Sequence, residues 1–201
     1  MRLPTPRIAV ALLGCALGLA ARGASPAGGG APAAWWRSLA VRDLAGAPLE
    51  ARGHWIVVVF LGQECPVSNA SIPVLNKLAG EFGPRGFSLV GAYVDPTVGL
   101  AVLRAHAAEY AVGFATADDR DHRLARAAGA TYTPEVAVFS ERGERLYLGR
   151  IDDRVGAWGA ARPAAAREDL REVLRALASG ARGPFPGRPG YGCALPEAVR
   201  P

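Results

Sequence analysis

The chain has 201 residues, half of them hydrophobic, with 23 basic and 18 acidic side chains and a formal net charge of +5. That length supports one well-buried core and argues against several domains. The basic residues are almost all arginine and alternate with Asp and Glu, and loss of Arg2, Arg7 and Arg22 with the first 27 residues would leave +2, which removes the electrostatic case for nucleic-acid binding.

Residues 1–27 carry Arg2 and Arg7, an apolar run from Ile8 to Ala21, then small residues and no acidic residue, the layout of a secretory signal peptide. The run is short for a permanent membrane helix. Gly28, Gly29, Gly30 and Pro32 make residues 28–34 read as a flexible linker, not a stop-transfer segment. Cleavage between Ala20 and Ala27 is the expectation. The alternative is lipid attachment at Cys15, within Leu12-Leu13-Gly14-Cys15, although apolar residues continue past that cysteine. The expected location is extracytoplasmic, as in a periplasm, where the environment is oxidising. Cys65 and Cys193 would then be the cysteines left, too few for a disulfide scaffold.

After the linker, residues 35–50 hold turn residues Gly46 and Pro48 between apolar positions. Ile56 to Leu61 is a continuous apolar run, the mark of a strand buried on both faces. A helix is expected from Pro66 to the stop at Gly83-Pro84, with Val67, Val74, Leu75, Leu78 and Phe82 inward. Phe87 to Val94 reads as a second strand and Val98 to Tyr110 as a helix. A short strand near Phe114 to Thr116 leads into a helix over Asp118 to Ala128, stopped by Gly129.

Glu135 to Ser140 and Arg145 to Ile151 flank a polar turn and read as a hairpin. Pro163 to Ser179 is expected to be the last helix, capped by Gly180. Residues 35–180 form the expected domain. Residues 181–201, rich in proline and glycine, are expected to lack regular structure, with Cys193 in this mobile tail. Internal repeats and glycine-rich phosphate loops are absent, so phosphate chemistry has no support.

The residues with chemistry lie at Gly62-Gln63-Glu64-Cys65-Pro66-Val67-Ser68, where the buried strand ends and the helix starts. Unpaired amides and the helix dipole at such a place favour a thiolate, and Glu64 beside it works the other way. Pro73 follows inside the helix, and Thr133-Pro134 stands just before the strand at Glu135. His54, His106 and His122 lie on different elements without metal-ligand spacing and read as packing or surface residues. Asn69-Ala70-Ser71 matches a glycosylation sequon by chance.

On Cys65, Pro73 and Thr133-Pro134, the chain resembles the thioredoxin-like superfamily over residues 35–179, in the exported redoxin and TlpA-like branch related to AhpC/TSA peroxiredoxins. The resemblance implies an α/β fold, a three-layer sandwich with a central mixed β-sheet flanked by helices. The 69 residues between Cys65 and Pro134 leave room for the extra βα unit of the TlpA and peroxiredoxin type. It also implies a cis bond before Pro134, a substrate site at Thr133, Pro134 and Ser68, and no cofactor or metal. The implied partners are protein thiols and disulfides or peroxide, including a membrane-associated redox partner.

The chain departs from that pattern where Ser68 replaces the second cysteine of C-x-x-C, read chiefly as the mark of a lost cysteine and otherwise as a cap or thiolate contact. Without it no local disulfide can resolve Cys65. Cys193 in Tyr191-Gly192-Cys193 is then a distant resolving thiol or an incidental cysteine; exported redoxins resembling this chain do end in a similar Gly-Cys element. The implied activity is a thiol-disulfide oxidoreductase with Cys65 as nucleophile. The rivals are a one-cysteine peroxidase, whose Pro-x-x-x-Thr-x-x-Cys pattern is missing at Val58 and Gly62, and a non-catalytic binding module. Arg150, in Gly149-Arg150-Ile151-Asp152-Asp153, reads as a salt-bridged strand end that alternatively reaches the active face.

Overall fold

The computed structural model describes residues 34–156 and 161–197. The signal segment, Cys15 and all but the last residue of the linker lie outside them. In chain order the elements are α1 (Ala34–Ser38), β1 (Arg42–Asp43), β2 (Trp55–Leu61), α2 (Pro66–Phe82), β3 (Phe87–Tyr93), α3 (Leu100–Glu109), β4 (Ala115–Asp118), α4 (Arg123–Ala128), β5 (Tyr132–Thr133), β6 (Glu135–Ser140), β7 (Arg145–Gly149), α5 (Asp169–Ala178) and β8 (Cys193–Ala194).

Six strands form one mixed sheet in the order β1-β4-β3-β2-β6-β7, with β2, β3 and β4 parallel and β6 and β7 added as an antiparallel hairpin. The apolar run of β2 puts it at the centre, where a strand covered on both faces has no polar side to show. Its alternate side chains divide between two cores. Val57, Val59 and Leu61 pack with Leu75 and Leu78 of α2, Leu103 of α3 and Leu174 of α5. Ile56, Val58 and Phe60 pack on the other face with Trp36 of α1 and Leu124 and Ala128 of α4. This is the expected three-layer sandwich, with α3 and β4 as the additional unit. No helix among the described residues is long and apolar enough to cross a membrane.

Two helices start later than their sequence pattern implies. Asp118 stays in β4, paired with Arg42, and α4 begins only at Arg123 because the Asp119 carboxylate accepts hydrogen bonds from Leu124 N–H (2.8 Å) and Ala125 N–H (2.9 Å). A side chain that caps a helix from outside cannot belong to its first turn. Similarly, Asp153 Oδ1 accepts from the amides of Ala166 and Arg167, holding the residues after Pro163 out of the helix until Asp169.

The larger correction concerns the tail. It runs beside β7, the edge strand, where Phe185 N–H donates to Leu146 O (2.7 Å) and Arg150 N–H to Arg188 O (3.0 Å). It then crosses to β5, with which β8 forms a separate two-stranded sheet pairing Tyr132 with Ala194 and Thr133 with Cys193. The glycines that suggest freedom in the sequence are places of close approach. A Cβ at Gly187 would lie 1.9 Å from Leu148 O, and one at Gly192 would lie 1.8 Å from Thr133 O. Backbone therefore lies on backbone where the sequence reads as loop.

Candidate active site

Cys65 is the N-cap residue of α2. Its backbone is extended, Pro66 occupies the first helical turn, and Cys65 O accepts from Asn69 N–H at 3.0 Å. Proline suits that position because its missing N–H would have had no helical partner. Pro73 lies inside the same helix. The thiol is 3% exposed and donates to Thr133 O at 3.4 Å, from the residue that precedes the cis bond to Pro134. Sequence-distant residues on α2 and before β6 thus meet at one sulfur.

Cys193 meets them there too. Both cysteines are free thiols, and Cys193, in register with Thr133 across β5 and β8, lies near enough to Cys65 to shift its ionisation. Burial by itself pushes the Cys65 thiol up. Hydrogen bonds from Cys193, the Ser68 amide and the Thr133 and Ser68 hydroxyls outweigh it and bring the thiol down to about 7. Cys193 moves the other way, to about 11, through burial and then through its hydrogen bond to, and charge repulsion from, the Cys65 thiolate. Near neutral pH Cys65 is therefore divided between thiol and thiolate while Cys193 keeps its proton. Glu64, set against activation in the sequence, is exposed and is not among the groups that act on the thiol.

Ser68 is buried rather than vacant of role. Its hydroxyl accepts from Gly62 N–H at 3.3 Å and also reaches the thiol, so it does more than mark a lost cysteine. Gly62 ends β2 directly beneath these groups, and a Cβ there would lie 3.1 Å from Thr133 Oγ1 and 3.2 Å from Cys65 Cβ. A threonine at this position, as the peroxidase pattern requires, would need the Thr133 hydroxyl and the Cys65 side chain to give way by a few tenths of an ångström. Arg150 pairs with buried Asp169 (Nε–Oδ2 2.6 Å) and also faces the active side. With Val67, Ala70, Pro134, Arg154 and Tyr191 it lines a groove of about 140 Å³ beside the proline.

Two further groups position the site, and neither has a sequence signature. Glu135, 6% exposed, accepts from Thr131 N–H at 2.8 Å, so its carboxylate holds the segment that carries Thr133. Burial raises its pKa despite the hydrogen bonds it accepts from the backbone. His106 on α3 joins Tyr93 OH (2.8 Å) to Asn69 Oδ1 (2.9 Å), and Asn69 Nδ2 donates to Gln63 O (3.0 Å) in the loop before Cys65. Burial lowers the pKa of this histidine, which favours its neutral form. The side-chain amide of Asn69, in the sequon, makes both of these bonds. A polar residue in a helix pattern gives no hint of such long-range partners.

Removing the Glu135 carboxylate orphans the Thr131 amide, a loss of about 1–3 kcal/mol. Urea unfolding of Glu135→Ala should report that loss, whereas exposed Glu141→Ala should stay within about 0.5 kcal/mol of the parent.

The family model for AhpC/TSA proteins matches residues 42–146, the span from β1 into β7 that holds Cys65 and Pro134. The chain belongs to the AhpC/TSA family. No curated protein matches it. Among solved structures, this AhpC/TSA chain is similar to a hypothetical protein of Sinorhizobium meliloti 1021, with 24% identity and a TM-score of 0.63 over 77% of this chain and 88% of that one. It is also similar to an uncharacterized conserved protein from Geobacillus kaustophilus, with 22% identity and a TM-score of 0.66 over 81% of this chain and 89% of that one. A secreted disulfide oxidoreductase of Mycobacterium tuberculosis shares 19% identity with a TM-score of 0.50, covering 71% of this chain and 98% of that one. These likenesses establish a common thioredoxin-like fold. The family match ends before α5 and the tail, so Cys193 is a feature of this chain beyond the matched region.

Proposed function

We propose that this protein is an exported thiol-disulfide oxidoreductase in which Cys65 is the nucleophile and Cys193 the resolving thiol. The observation that carries the reading is that both cysteines converge on one residue: Cys193 pairs in register with Thr133, and Thr133 O receives the Cys65 thiol.

The chemistry follows from the electrostatics of the pair. Cys65 thiolate attacks one sulfur of a substrate disulfide, the substrate S–S bond breaks, and one substrate thiolate leaves. With Cys65 now neutral in a mixed disulfide, the charge that opposed ionisation of Cys193 is gone and its thiol can lose its proton. Cys193 then attacks the Cys65 sulfur and expels the second substrate thiolate. Two electrons pass to the substrate, the two released thiolates take up protons, and the protein holds a Cys65–Cys193 disulfide. Thr133, Pro134 and Ser68 frame the substrate side of that sulfur, and an external dithiol must reduce the enzyme before another cycle.

Oxidation of the reduced protein with a small disulfide, followed by intact mass and peptide mapping, tests the assignment. The expected product is an intramolecular Cys65–Cys193 bond with the loss of two hydrogen atoms. Stable accumulation of an adduct on Cys65 with Cys193 free would overturn the resolving role. Hydrogen peroxide gives the peroxidase alternative its own test. Oxidation of Cys65 to sulfenic acid at rates well above those of an ordinary thiolate would redirect the reading, against the missing hydroxyl at Gly62. Export is tested by the mass of the mature chain, expected to start after a cleavage between Ala20 and Ala27.

The same pair sets a pH profile. The thiolate is the reactive form, so alkylation of Cys65 should rise with pH and level off above about 7. Below that value it should fall about tenfold per pH unit. Cys193 should remain unreactive until far more alkaline conditions, near 11. Rates of iodoacetamide labelling resolved by peptide check both halves.

A further inference from the structure

The tail differs along its length in how firmly it is held. Up to Arg188 it is fastened to the edge of the main sheet by the bonds of Phe185 and Arg188, and Arg188 also pairs with buried Asp169 at 3.2 Å. Past Pro189 the supports are fewer. Gly190 N–H donates to Tyr132 OH at 2.8 Å, Leu195 N–H donates to Thr131 O at 3.1 Å, and two residues of β8 pair with β5. Residues 191–194 are exposed, and Leu195, partly buried, packs against the core.

Those few bonds cover a particular surface. β5 lies outside the main sheet, and β8 is its strand partner. A short edge of this kind, next to a reactive sulfur, is where an extended chain adds by backbone pairing. With the tail in place the edge is taken and Cys65 is 3% exposed, so a folded or bulky disulfide substrate has no approach.

We propose that residues 190–195 are a strap that occupies the substrate-pairing edge of β5 in cis, and that Pro189-Gly190 is the pivot on which it opens to admit an extended disulfide-bearing peptide. The proposal rests on the oxidoreductase reading for its redox lever. In the dithiol form the strap is held by the β5–β8 pairing, the bonds of Gly190 and Leu195 and the Thr133 hydroxyl on Cys193 O, with no covalent link, so it opens transiently. Once Cys193 has displaced the substrate and bonded to Cys65, the same strap is tied down covalently. Product is expelled from the edge and a second peptide is excluded until the disulfide is reduced. Resolution and release become one movement.

The test uses full-length protein and, as probe, a fluorescent peptide copying residues 189–197 with serine in place of Cys193. Leu195→Pro removes the amide that binds Thr131 O and loosens the strap. The reduced variant is expected to bind the probe at least tenfold more tightly than reduced wild type, and its Cys65 to react at least tenfold faster with a bulky maleimide. Oxidised wild type is expected to show no binding. Equal probe binding in all three samples, with equal Cys65 labelling of reduced wild type and reduced variant, would overturn the strap.

Amide exchange in unmodified wild type supplies a second measurement that does not depend on the variant folding. Leu195 and Cys193 amides are expected to exchange faster than those of β6 in the reduced protein and to gain protection on oxidation. Protection equal to β6 in both states would also overturn it. The two proposals fail separately. A Cys65–Cys193 disulfide with an unresponsive strap sinks the strap alone, while a strap that opens in a protein forming no such disulfide sinks the resolving role alone.

Discussion

Cys65→Ser is expected to abolish covalent capture of disulfide substrates, a loss of at least about a thousandfold in the rate of mixed-disulfide formation. The reason lies in the division of labour between the two sulfurs. Hydrogen bonds from Cys193, Ser68 and Thr133 lower the Cys65 pKa, while Cys193 is driven up to about 11. A serine hydroxyl in place of the thiol does not ionise in this range, and Cys193 lacks the donors to take over. The fold should survive, because serine can donate to Thr133 O as the thiol does. Trapping of a model protein disulfide on wild type, Cys65→Ser and Cys193→Ser distinguishes the roles. Wild type should turn over, Cys193→Ser should accumulate the mixed disulfide, and Cys65→Ser should trap nothing. Persistent trapping by Cys65→Ser would remove Cys65 from the mechanism.

The second large effect is expected from a residue with no functional group. Gly192→Val places a Cβ 1.8 Å from Thr133 O and 2.7 Å from its carbonyl carbon, and both are backbone atoms that cannot swing aside. The tail must lift, and Cys193 leaves the thiol. Two consequences follow together. Closure of the Cys65–Cys193 disulfide slows by about a hundredfold or more, since a positioned attack becomes a search by a tethered chain. The Cys65 pKa moves back up from about 7, because it loses the hydrogen bond of Cys193. Thermal unfolding should change little, as residues 191–194 bury little surface. Gly80→Ala is a suitable control, because a Cβ there meets nothing within 4 Å and should leave both readouts unaltered. Unchanged disulfide closure in Gly192→Val would show that the β5–β8 pairing does not deliver Cys193.

How far the site could be read in advance depended on the range of the forces involved. The Cys65 position was legible because its causes are local: an all-apolar strand, a glycine at its end, a proline that opens the next helix. The Thr133-Pro134 element was legible as a motif ahead of an apolar strand. Ser68 was visible in the sequence, but its hydroxyl contacts with Gly62 and the thiol were not. Asp118 and Pro163 misled as helix starts because Asp119 and Asp153 use their carboxylates on backbone amides several residues on, which a periodicity argument does not register.

By itself, then, the sequence determined the layered α/β architecture and the sulfur at the head of α2, since apolar periodicity, proline and glycine act over one or two turns of chain. Tertiary structure alone decided the partners of that sulfur. His106 acquires its role by meeting Asn69, 37 residues away in the chain, and Cys193 comes to the Cys65 site across 128 residues. Glycine explains the widest miss. The absence of a side chain permits freedom in an isolated strand and close backbone contact in a packed one, and only the neighbouring strand shows which of the two Gly187 and Gly192 provide.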